Sequence, residues 1–319
     1  MNKSLITLGL TVYNAIDTIE RAVYSAVEQS WDNVEIIAVD DCSSDGSFEL
    51  LVELEKIIPA LKVIQNSVNS GVAVSRNQII KNAQGEFIAF FDDDDVSLPN
   101  RVEEQFNRIT EYERTFANED PVISHTSREV VYPNGEVRIE ETMGLNVQTF
   151  APNGVSVAKR ILFGEHLKDG YGSCATCSQM ARTSVYRQLN GFDENLRRGE
   201  DTEFNIRLSR EGGHFVGVKA PLVRQYMTKT SEKNLSDEYK FMRFILDKHK
   251  DMASSERAYQ FAAEWLGLKN KLLEKRISKF VLGFGTMVLK HPFLTIKRAV
   301  LSLPAFGINL AFSRFHGKK

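Results

Sequence analysis

The first hundred residues alternate short apolar strands with helical segments, and this alternation limits the possible folds more than any other feature of the chain. The segments 34–39 and 87–91 lack the strict polar and apolar alternation of a strand with one wet face. Both faces of these strands are therefore expected to be covered, which is typical of a parallel sheet with helices on each side. The sequence predicts a doubly wound, mostly parallel α/β sheet.

The spacing of apolar residues also predicts the order of elements along the chain. A β-hairpin is expected around Pro133-Asn134-Gly135, and only helices are expected beyond about residue 228. The glycine-rich stretch 142–172 is expected to be a partly mobile loop with one helix at 155–163. The predicted strands are 5–12, 34–39, 61–64, 86–91, 122–132, 137–141, 173–182 and 214–226. The other predicted helices are 14–29, 48–58, 72–83, one that follows Pro99, 184–189 and 201–210.

Polar side chains follow three of the predicted strands. Tyr13 follows the first, Asp40 and Asp41 end the second, and the run from Asp92 to Asp95 follows the fourth. Ligands of doubly wound sheets bind beyond the carboxyl ends of the strands. The sequence therefore predicts that these side chains line one crevice.

The tract of four aspartates predicts a divalent-cation site. Two carboxylates ~4 Å apart repel by about 1 kcal/mol in water and by about 4 kcal/mol at an effective dielectric near 20. A hard cation such as Mg²⁺ or Mn²⁺ would neutralise them. Mg²⁺ is commonly coordinated by one or two carboxylates together with substrate phosphates. The alternative is a solvated acidic turn that caps the helix beginning near Leu98.

Several other polar residues are candidates for binding or catalysis. The Asp40 carboxylate could accept hydrogen bonds from a ribose hydroxyl or a base N–H, while the group 41–45 could cap the next helix. The Arg76 guanidinium matches phosphate oxygens, with a solvated surface arginine as the alternative. Glu200 and Asp201 open a predicted helix, where a carboxylate is stabilised as the anion whether it caps the helix or acts as a general base.

Cysteine usage favours a reducing compartment. Cys42, Cys174 and Cys177 are too few and too unevenly spaced for a secreted disulfide framework. Cys174 and Cys177 have the spacing of half a zinc or redox motif, but they fall in a predicted strand without a second pair, so buried small apolar residues are the preferred interpretation. The N-terminal residues are typical of a first strand rather than a signal peptide, and a cytoplasmic location is expected.

Residues 269–319 are strongly basic, although the whole chain has a net charge of only −2. They contain eleven Lys or Arg and one acid, Glu274, which gives +10 against −12 for the rest of the chain. Apolar residues at three- and four-residue intervals over 272–288 predict an amphipathic basic helix, and Phe306, Phe312 and Phe315 follow it. We expect peripheral contact with the inner face of the cell membrane. The alternative is a helix packed on the body of the protein with its lysines in solvent.

The acidic body of the chain argues against a nucleic acid partner, because phosphate backbones are bound by clustered Lys and Arg. The longest apolar stretches, 280–289 and 299–312, are shorter than the ~20 residues needed to span a bilayer. Surface attachment is therefore the most that this region predicts.

Five segments cover about residues 4–225: TVYN at 11–14, VDDCSSDGS at 39–47, NSGVAVSRN at 69–77, FFDDDD at 90–95 and GFDENLRRGEDTEF at 191–204. In their sequence and order they resemble glycosyltransferase family 2, the inverting enzymes with the GT-A nucleotide-binding fold. The resemblance implies transfer of a sugar from a nucleoside diphosphate sugar, UDP-linked, to an acceptor hydroxyl with inversion. It also implies a part in bacterial surface polysaccharide biosynthesis, with a glycan or lipid-linked glycan as the acceptor.

The resemblance implies a role for each matching residue. The implied nucleotide-sugar contacts are Thr11, Tyr13, Asp40, Arg76, Asp92 and Asp93. Asp94 and Asp92 correspond to the metal ligands, with Mn²⁺ or Mg²⁺ as the ion, and Asp201 corresponds to the general base.

We expect residues 1–105 to form the nucleotide-sugar-binding half of one GT-A domain, 106–227 its acceptor-binding half, and 228–319 a basic helical extension. Two other functions stay open. A catalytically inactive sugar-nucleotide-binding module would keep both acidic elements without turnover. A nucleotidyltransferase would attack phosphorus and should carry a loop rich in Gly and Lys or Arg after the first strand, which 11–22 lacks.

Overall fold

A computed structural model describes residues 3–227 and 235–302. Over these ranges the strands form one nine-stranded sheet in the order β3-β2-β1-β4-β8-β6-β9-β5, with β7 paired to β6. The strands are β1 Ile6–Val12, β2 Val34–Asp40, β3 Leu61–Gln65, β4 Phe87–Asp92, β5 Val96–Ser97, β6 Val122–Val131, β7 Val137–Glu140, β8 Gln179–Arg182 and β9 His214–Tyr226.

The helices follow the strands as the spacing predicted. They are α1 Ile19–Val27, α2 Ser47–Ile57, α3 Val72–Asn82, α4 Arg101–Tyr112, α5 Val155–Phe163, α6 Thr183–Gln188, α7 Glu200–Arg210, α8 Leu235–Lys248, α9 Glu256–Leu273 and α10 Ile277–Lys290. Residues 292–302 are also helical. The α/β class and the C-terminal helical extension are confirmed.

The first four strands of the sheet are parallel, and helices cover both of their faces. Leu8 and Leu10 of β1 pack in one core cluster with Ile19 and Val23 of α1. Successive residues of a strand point to opposite faces, and a Cβ atom on Gly9 would lie 2.6 Å from Ile79 of α3. Only glycine therefore lets α3 approach the second face this closely.

The predicted strand at 173–182 is correct only in its last four residues. Thr176–Ser178 form a short 3₁₀ turn, in which the backbone N–H and the hydroxyl of Ser178 both donate to the Ala175 carbonyl. Such local bonds from a serine compete with strand pairing. The extended run therefore begins only at Gln179.

The first predicted helix also begins later than expected, at Ile19 instead of residue 14. The backbone N–H groups of Asn14, Ala15 and Ile16 donate to the side chains of Ser43, Ser47 and Asp45. Side-chain acceptors that hold these N–H groups in a loop replace the bonds of a first helical turn.

The described residues divide into two compact units. Unit 1 comprises the residues up to Ala158 together with Leu167–Met227 and contains the sheet. Unit 2 comprises Lys159–His166 and the residues described after 234.

Unit 2 is built from helices. Its buried side chains include Leu246 of α8, Phe261 and Leu268 of α9, and Met287 of α10. No helix in the two described ranges combines the length and the apolar character needed to cross a bilayer.

The single amphipathic helix predicted over 272–288 is wrong, because the chain breaks between α9 and α10. Lys275 adopts a left-handed conformation with φ 58°, and the Arg276 N–H donates to the Lys271 carbonyl, a bond that closes a helix end. The apolar residues of the pattern are thus shared between two helices. Phe306, Phe312 and Phe315 lie outside the described residues.

Candidate active site

Three parallel strands bring the predicted binding residues to one edge of the sheet. β1 lies between β2 and β4, and its register pairs Val12 with Asp40 and Thr11 with Asp92. Thr11 and Asp40 are buried at this edge, while Tyr13, just beyond β1, is 38% exposed. Since β2 and β4 flank β1 although they are not consecutive, this is the point where the strand order reverses and ligands of such sheets bind.

The loops after β1 and β2 hold each other in place. The hydroxyl of Ser43 accepts from Asn14 N–H at 2.9 Å, the side chain of Asn14 accepts from Ser44 N–H at 2.9 Å, and Asp45 Oδ2 accepts from Ile16 N–H at 3.0 Å. The N-cap residue of α2 is Gly46, but Asp45 Oδ1 accepts from the N–H of Ser47, the first residue of α2, at 3.0 Å. Asp45 therefore caps this helix end, as the alternative for the 41–45 group predicted, and also fixes the edge of the crevice through Ile16.

Asp40 and Asp41 differ in what they contact. Both Asp41 oxygens bind the loop before α3, accepting from the N–H groups of Ser70 and Gly71 at 2.9 and 2.7 Å and from the Asn66 amide at 2.8 Å. Asp40 uses only Oδ2, which accepts from Ser43 N–H, while its buried Oδ1 has no hydrogen-bond partner among the described residues. An unpaired buried acceptor is costly, so Asp40 Oδ1 is suited to receive a hydrogen bond from a ligand.

The acidic tract resists full ionisation. The pKa of Asp93 is raised to about 8, mainly because burial penalises its charged form, with added repulsion from Asp94 and Asp92. The Tyr13 N–H, which donates to Asp93 Oδ2 at 2.8 Å, acts in the opposite direction. Burial, followed by repulsion from Asp92 and Asp94, raises the pKa of Asp95 well above its usual value. The tract therefore retains protons or requires positive charge beside it.

Part of this tract has a geometry that fits a cation. Asp92, Asp95 and Cys177 each present one ligand atom, and all three atoms lie within 4.8 Å of one another. Asp95 Oδ2 is buried without a hydrogen-bond partner in the described residues. Mg²⁺ and Mn²⁺ prefer oxygen ligands, so the two carboxylates fit either ion and the thiol does not. Asp94 is outside this group, and its assignment as a metal ligand stays a prediction.

Arg76 connects the acidic tract to the first turn of α7. Its guanidinium donates to Glu200 at 2.5 Å and lies 3.4 Å from Asp92 Oδ1. Only 5% of the residue is exposed, so the alternative of a solvated surface arginine is wrong. Burial alone would lower the pKa of Arg76, but the charges of Glu200, Asp92 and Asp201 more than offset that effect and raise it.

Asp201 lies at the start of α7, directly after Glu200. Its Oδ1 accepts from Thr202 N–H at 2.6 Å and from the Thr202 hydroxyl at 3.2 Å. A carboxylate in the first turn of a helix is stabilised as the anion. Burial raises the pKa of Glu200, and the charge of Asp201 adds to this effect against the opposing charge of Arg76. The two carboxyl groups therefore differ: Glu200 is held by Arg76, whereas Asp201 is partly exposed.

The sequence reasoning missed the buried arginines next to this edge. Arg101 is fully buried, and its guanidinium donates to the Phe90 carbonyl at 2.8 Å and to the Ser97 hydroxyl at 2.7 Å. Burial lowers the pKa of Arg101 to about 10, so it stays cationic at neutral pH. An arginine at the start of an amphipathic helix usually faces solvent, and no local pattern marked this one as buried.

The thiols of the Cys-x-x-Cys segment show no sign of reactivity. Burial raises the pKa of Cys174 to about 12 and that of Cys177 well above its usual range. Reactive cysteines have lowered pKa values. The preferred interpretation as small unreactive side chains is therefore the better one, with Cys177 buried and Cys174 partly buried. Cys177 also borders the carboxylates.

Comparisons with known proteins agree with the fold and with the family that the motifs indicate. Residues 7–149 match the family described as "Glycosyl transferase family 2". Over this segment the chain therefore matches the family that its motifs indicated, which confirms the resemblance.

Two curated relatives are similar over shorter stretches. The putative teichuronic acid biosynthesis glycosyltransferase TuaG of Bacillus subtilis (strain 168) is 39% identical over 115 residues, which are 36% of this chain and 46% of TuaG. The Escherichia coli protein WfgD, named UDP-Glc:alpha-D-GlcNAc-diphosphoundecaprenol beta-1,3-glucosyltransferase, is 33% identical over 109 residues, which are 34% of this chain and 42% of WfgD. The chain thus matches less than half the length of these relatives.

A solved structure shares the fold over nearly the whole chain. The crystal structure of S. aureus TarS 1-349 in complex with UDP-GlcNAc has a TM-score of 0.62 and 17% sequence identity, and the match covers 98% of this chain and 90% of that one. At this identity the likeness establishes the fold alone.

Proposed function

We propose that the chain is an inverting glycosyltransferase that moves a sugar from a UDP-linked donor to an acceptor hydroxyl during bacterial surface polysaccharide biosynthesis. The observation that carries this proposal is the meeting of three polar elements at one edge of a family 2 domain. These elements are the unpaired Asp40 Oδ1, the proton-retaining aspartate tract and the Glu200-Asp201 pair that Arg76 joins to it.

The donor nucleotide occupies the space beyond β1 and β2 in this proposal. Asp40 Oδ1 accepts a hydrogen bond from the base or the ribose, and Tyr13 offers an exposed ring beside it. Thr11 lines the same pocket from β1. Arg76, whose Nε has no partner among the described groups, is the guanidinium that contacts the nucleotide.

Asp92 and Asp94 would hold the divalent cation, Mn²⁺ or Mg²⁺, and Asp93 would contact the nucleotide sugar. A bound cation supplies neutralisation of the charge that builds on the leaving diphosphate. The carboxylates of Asp92 and Asp95 support this role, because oxygen atoms of both belong to the compact group next to Cys177. The raised pKa values of Asp93 and Asp95 indicate that the tract gains from added positive charge.

Asp201 acts as the general base and takes the proton of the acceptor hydroxyl, which then attacks the anomeric carbon in a single displacement. Inversion at that carbon follows from the single step. Glu200 is unsuited to this role, because its carboxylate is 2.5 Å from Arg76 and buried. Asp201 is partly exposed, as a base that meets an external substrate must be.

The acceptor is a glycan or a lipid-linked glycan, and the protein binds peripherally to the inner face of the cell membrane. The relative WfgD is named for transfer to a diphosphoundecaprenol-linked sugar, which supports a lipid-linked acceptor. Exposed apolar side chains in unit 2, among them Leu282, Leu289 and Phe293, support membrane contact.

Donor hydrolysis tests the proposal. Purified protein is incubated with radiolabelled UDP-sugars and Mn²⁺, and released sugar is measured for the wild type, Asp94→Ala and the control Asp17→Ala, which changes an exposed aspartate near the same edge. We expect hydrolysis by the wild type and the control and its loss in Asp94→Ala. UDP binding without hydrolysis of any donor would instead identify an inactive binding module, and release of pyrophosphate from a nucleoside triphosphate would identify a nucleotidyltransferase.

A further inference from the structure

A thiol lies beside the aspartate tract, and the proposed transferase chemistry does not use it. Cys177 Sγ belongs to the compact group in which the sulfur and one oxygen each of Asp92 and Asp95 lie within 4.8 Å of one another. Mg²⁺ and Mn²⁺ prefer oxygen ligands, so neither ion requires the sulfur. The group therefore offers one soft ligand atom next to two hard ones.

This combination of ligand atoms suits Zn²⁺. Zn²⁺ binds thiolate sulfur at about 2.3 Å and carboxylate oxygen at about 2.0–2.2 Å, so the ligand atoms of one tetrahedral ion are about 3.4–3.6 Å apart. The group is within about 1 Å of that spacing. Rotation of the Asp92 carboxyl, whose side chain is 29% exposed, can supply the closure because the terminal torsion of an aspartate is soft. A water molecule would complete the coordination.

Asp95 gives independent evidence that this group receives a ligand. The residue is only 5% exposed, and its Oδ2 has no hydrogen-bond partner in the described part of the chain. Its other oxygen, Oδ1, accepts from the Tyr226 N–H at 3.1 Å, which fixes the carboxyl. Burial, followed by repulsion from Asp92 and Asp94, raises the pKa of Asp95. A cation in contact with Oδ2 would relieve both the repulsion and the unpaired acceptor.

Arg128 is positioned to stabilise the sulfur as a thiolate. Its Nη1 donates to Cys177 Sγ at 3.8 Å. Its Nη2 donates to Glu140 Oε2 at 2.7 Å and to the Ser173 hydroxyl at 2.8 Å. The residue is 4% exposed, so these contacts hold the guanidinium in place. Groups that hydrogen-bond a metal ligand in this way orient it and tune its affinity for the ion.

The high pKa of Cys177 is compatible with metal binding. Burial raises the pKa of this thiol well above its usual range, which keeps it protonated at neutral pH. A thiol that coordinates a metal ion is deprotonated, because the charge of the ion dominates the local electrostatics. Coordination forms the Zn–S bond and releases the thiol proton to solvent, without any change of oxidation state.

We infer that Asp92, Asp95 and Cys177 bind Zn²⁺, and that Zn²⁺ bound there inhibits sugar transfer by occupying Asp92. The inhibition rests on the proposed function, because that function assigns Asp92 to the Mn²⁺ or Mg²⁺ of transfer. Divalent ions bind a given site more tightly in the order from Mn²⁺ to Zn²⁺, and a thiolate ligand increases this preference. Zn²⁺ therefore displaces the transfer ion from this edge of the sheet.

The neighbouring cysteine provides a matched control. Cys174 does not belong to the compact group found among the described residues. Cys177→Ser and Cys174→Ser each replace one sulfur by one oxygen, three positions apart, and differ in whether the sulfur can reach the ion. Cys177→Ala removes the same sulfur without placing a hydroxyl in a buried position, so it gives a second variant if Cys177→Ser folds poorly.

Co²⁺ binding to the full chain without an affinity tag reports the sulfur ligand directly, because a cobalt–thiolate bond gives a charge-transfer absorption band. We expect this band in the wild type and in Cys174→Ser, its absence in both Cys177 variants, and its loss when Zn²⁺ is added. Titration calorimetry should show at least about tenfold weaker Zn²⁺ binding in the Cys177 variants, with Mn²⁺ binding within about twofold of the wild type. Circular dichroism verifies folding.

Two results would overturn the inference. A cobalt–thiolate band that persists in the Cys177 variants, or that Cys174→Ser removes, would assign the sulfur ligand to another cysteine. Equal Zn²⁺ affinities of the wild type and all variants would show that Zn²⁺ binds this chain without a thiolate.

UDP-sugar hydrolysis with Mn²⁺ separates this inference from the proposed function. We expect Zn²⁺ to inhibit the wild type and Cys174→Ser at about tenfold lower concentration than Cys177→Ser. Hydrolysis without thiol-dependent Zn²⁺ binding would refute only the zinc site. Thiol-dependent Zn²⁺ binding without hydrolysis of any donor would uphold the zinc site and refute only the transferase role.

Discussion

The two units of the chain differ in which side chains they bury and which they expose. In unit 1, buried charged side chains form ion pairs. Arg76, for example, is only 5% exposed and pairs with Glu200 and Asp92. Unit 2 exposes apolar side chains, with Leu289 at 86% and Phe293 at 87% exposure. Buried charge is costly unless its partners are fixed, so unit 1 is preorganised for a polar ligand. Large exposed apolar groups are typical of a surface that binds an apolar partner, as we propose for unit 2.

The largest expected effect concerns the candidate active site in unit 1. Asp201→Asn removes the proposed base and should lower sugar transfer by about 10²–10⁴-fold, while UDP binding is retained because the change lies outside the nucleotide pocket. Steady-state kinetics and UDP titration measure the two quantities. The control is Glu211→Gln, an exposed carboxylate just beyond the other end of α7. Equal transfer rates for the two variants would remove Asp201 from the mechanism.

Buried pairing in unit 1 can be tested through stability. Arg76→Met leaves the Glu200 carboxylate without its cation and should lower the free energy of unfolding by about 3–5 kcal/mol. Arg138→Met breaks the more exposed pair with Glu136 on the hairpin and should cost less than about 1 kcal/mol. Urea denaturation measures both. Similar losses in both variants would show that burial of the Arg76–Glu200 pair does not increase the cost of breaking it.

A pH effect follows from His125, which is buried in β6. Burial, with the charges of Arg128 and Arg101, lowers the pKa of His125 to about 3. The unfolded chain binds a proton below about pH 6.5 that the folded chain does not, so the free energy of unfolding falls as pH decreases from 6.5 toward 3. At pH 5 the loss is about 2 kcal/mol.

Urea denaturation of the wild type and His125→Gln between pH 7 and pH 5 measures this contribution. Glutamine does not titrate, so the variant should lose less stability over this interval. Parallel pH profiles for the two proteins would contradict the neutral, buried state of His125.

The smallest effect on stability, and the clearest test of unit 2, comes from its exposed apolar residues. Leu289→Ser and Phe293→Ser should change the free energy of unfolding by less than about 0.5 kcal/mol, since neither side chain is buried. Each should weaken flotation with phosphatidylglycerol vesicles by about tenfold, because insertion of such a side chain contributes about 1.5–3 kcal/mol. The control is Ile57→Ser, which removes an exposed apolar side chain at the end of α2 in unit 1. Equal flotation of the two unit 2 variants and the control would contradict the proposed membrane contact.

The sequence predicted the elements of unit 1 well because its strands and helices are short, periodic and bounded by glycine, proline or aspartate. The edge residues Tyr13, Asp40 and Asp92 could be placed together for the same reason, since parallel strands end at one edge. The break at Lys275 was missed, because a lysine in a left-handed conformation carries no local signal.

The long-range contacts in the site also could not be predicted from the sequence. Arg76 and Glu200 are 124 positions apart and meet only because α3 and α7 converge on the end of β4. The approach of Cys177 to Asp92 and Asp95 depends on the 3₁₀ turn, where a strand was expected. Such contacts follow from packing and not from spacing along the chain.

The proposed function requires that the aspartate tract at the end of β4 binds a divalent ion together with a nucleoside diphosphate. Anomalous diffraction at the manganese edge, from crystals soaked with UDP and Mn²⁺, tests it most directly. We predict a manganese peak between the diphosphate and the carboxylates of Asp92 and Asp94. UDP bound at this edge without a manganese peak there, or UDP bound away from Asp40 and the tract, would contradict the claim.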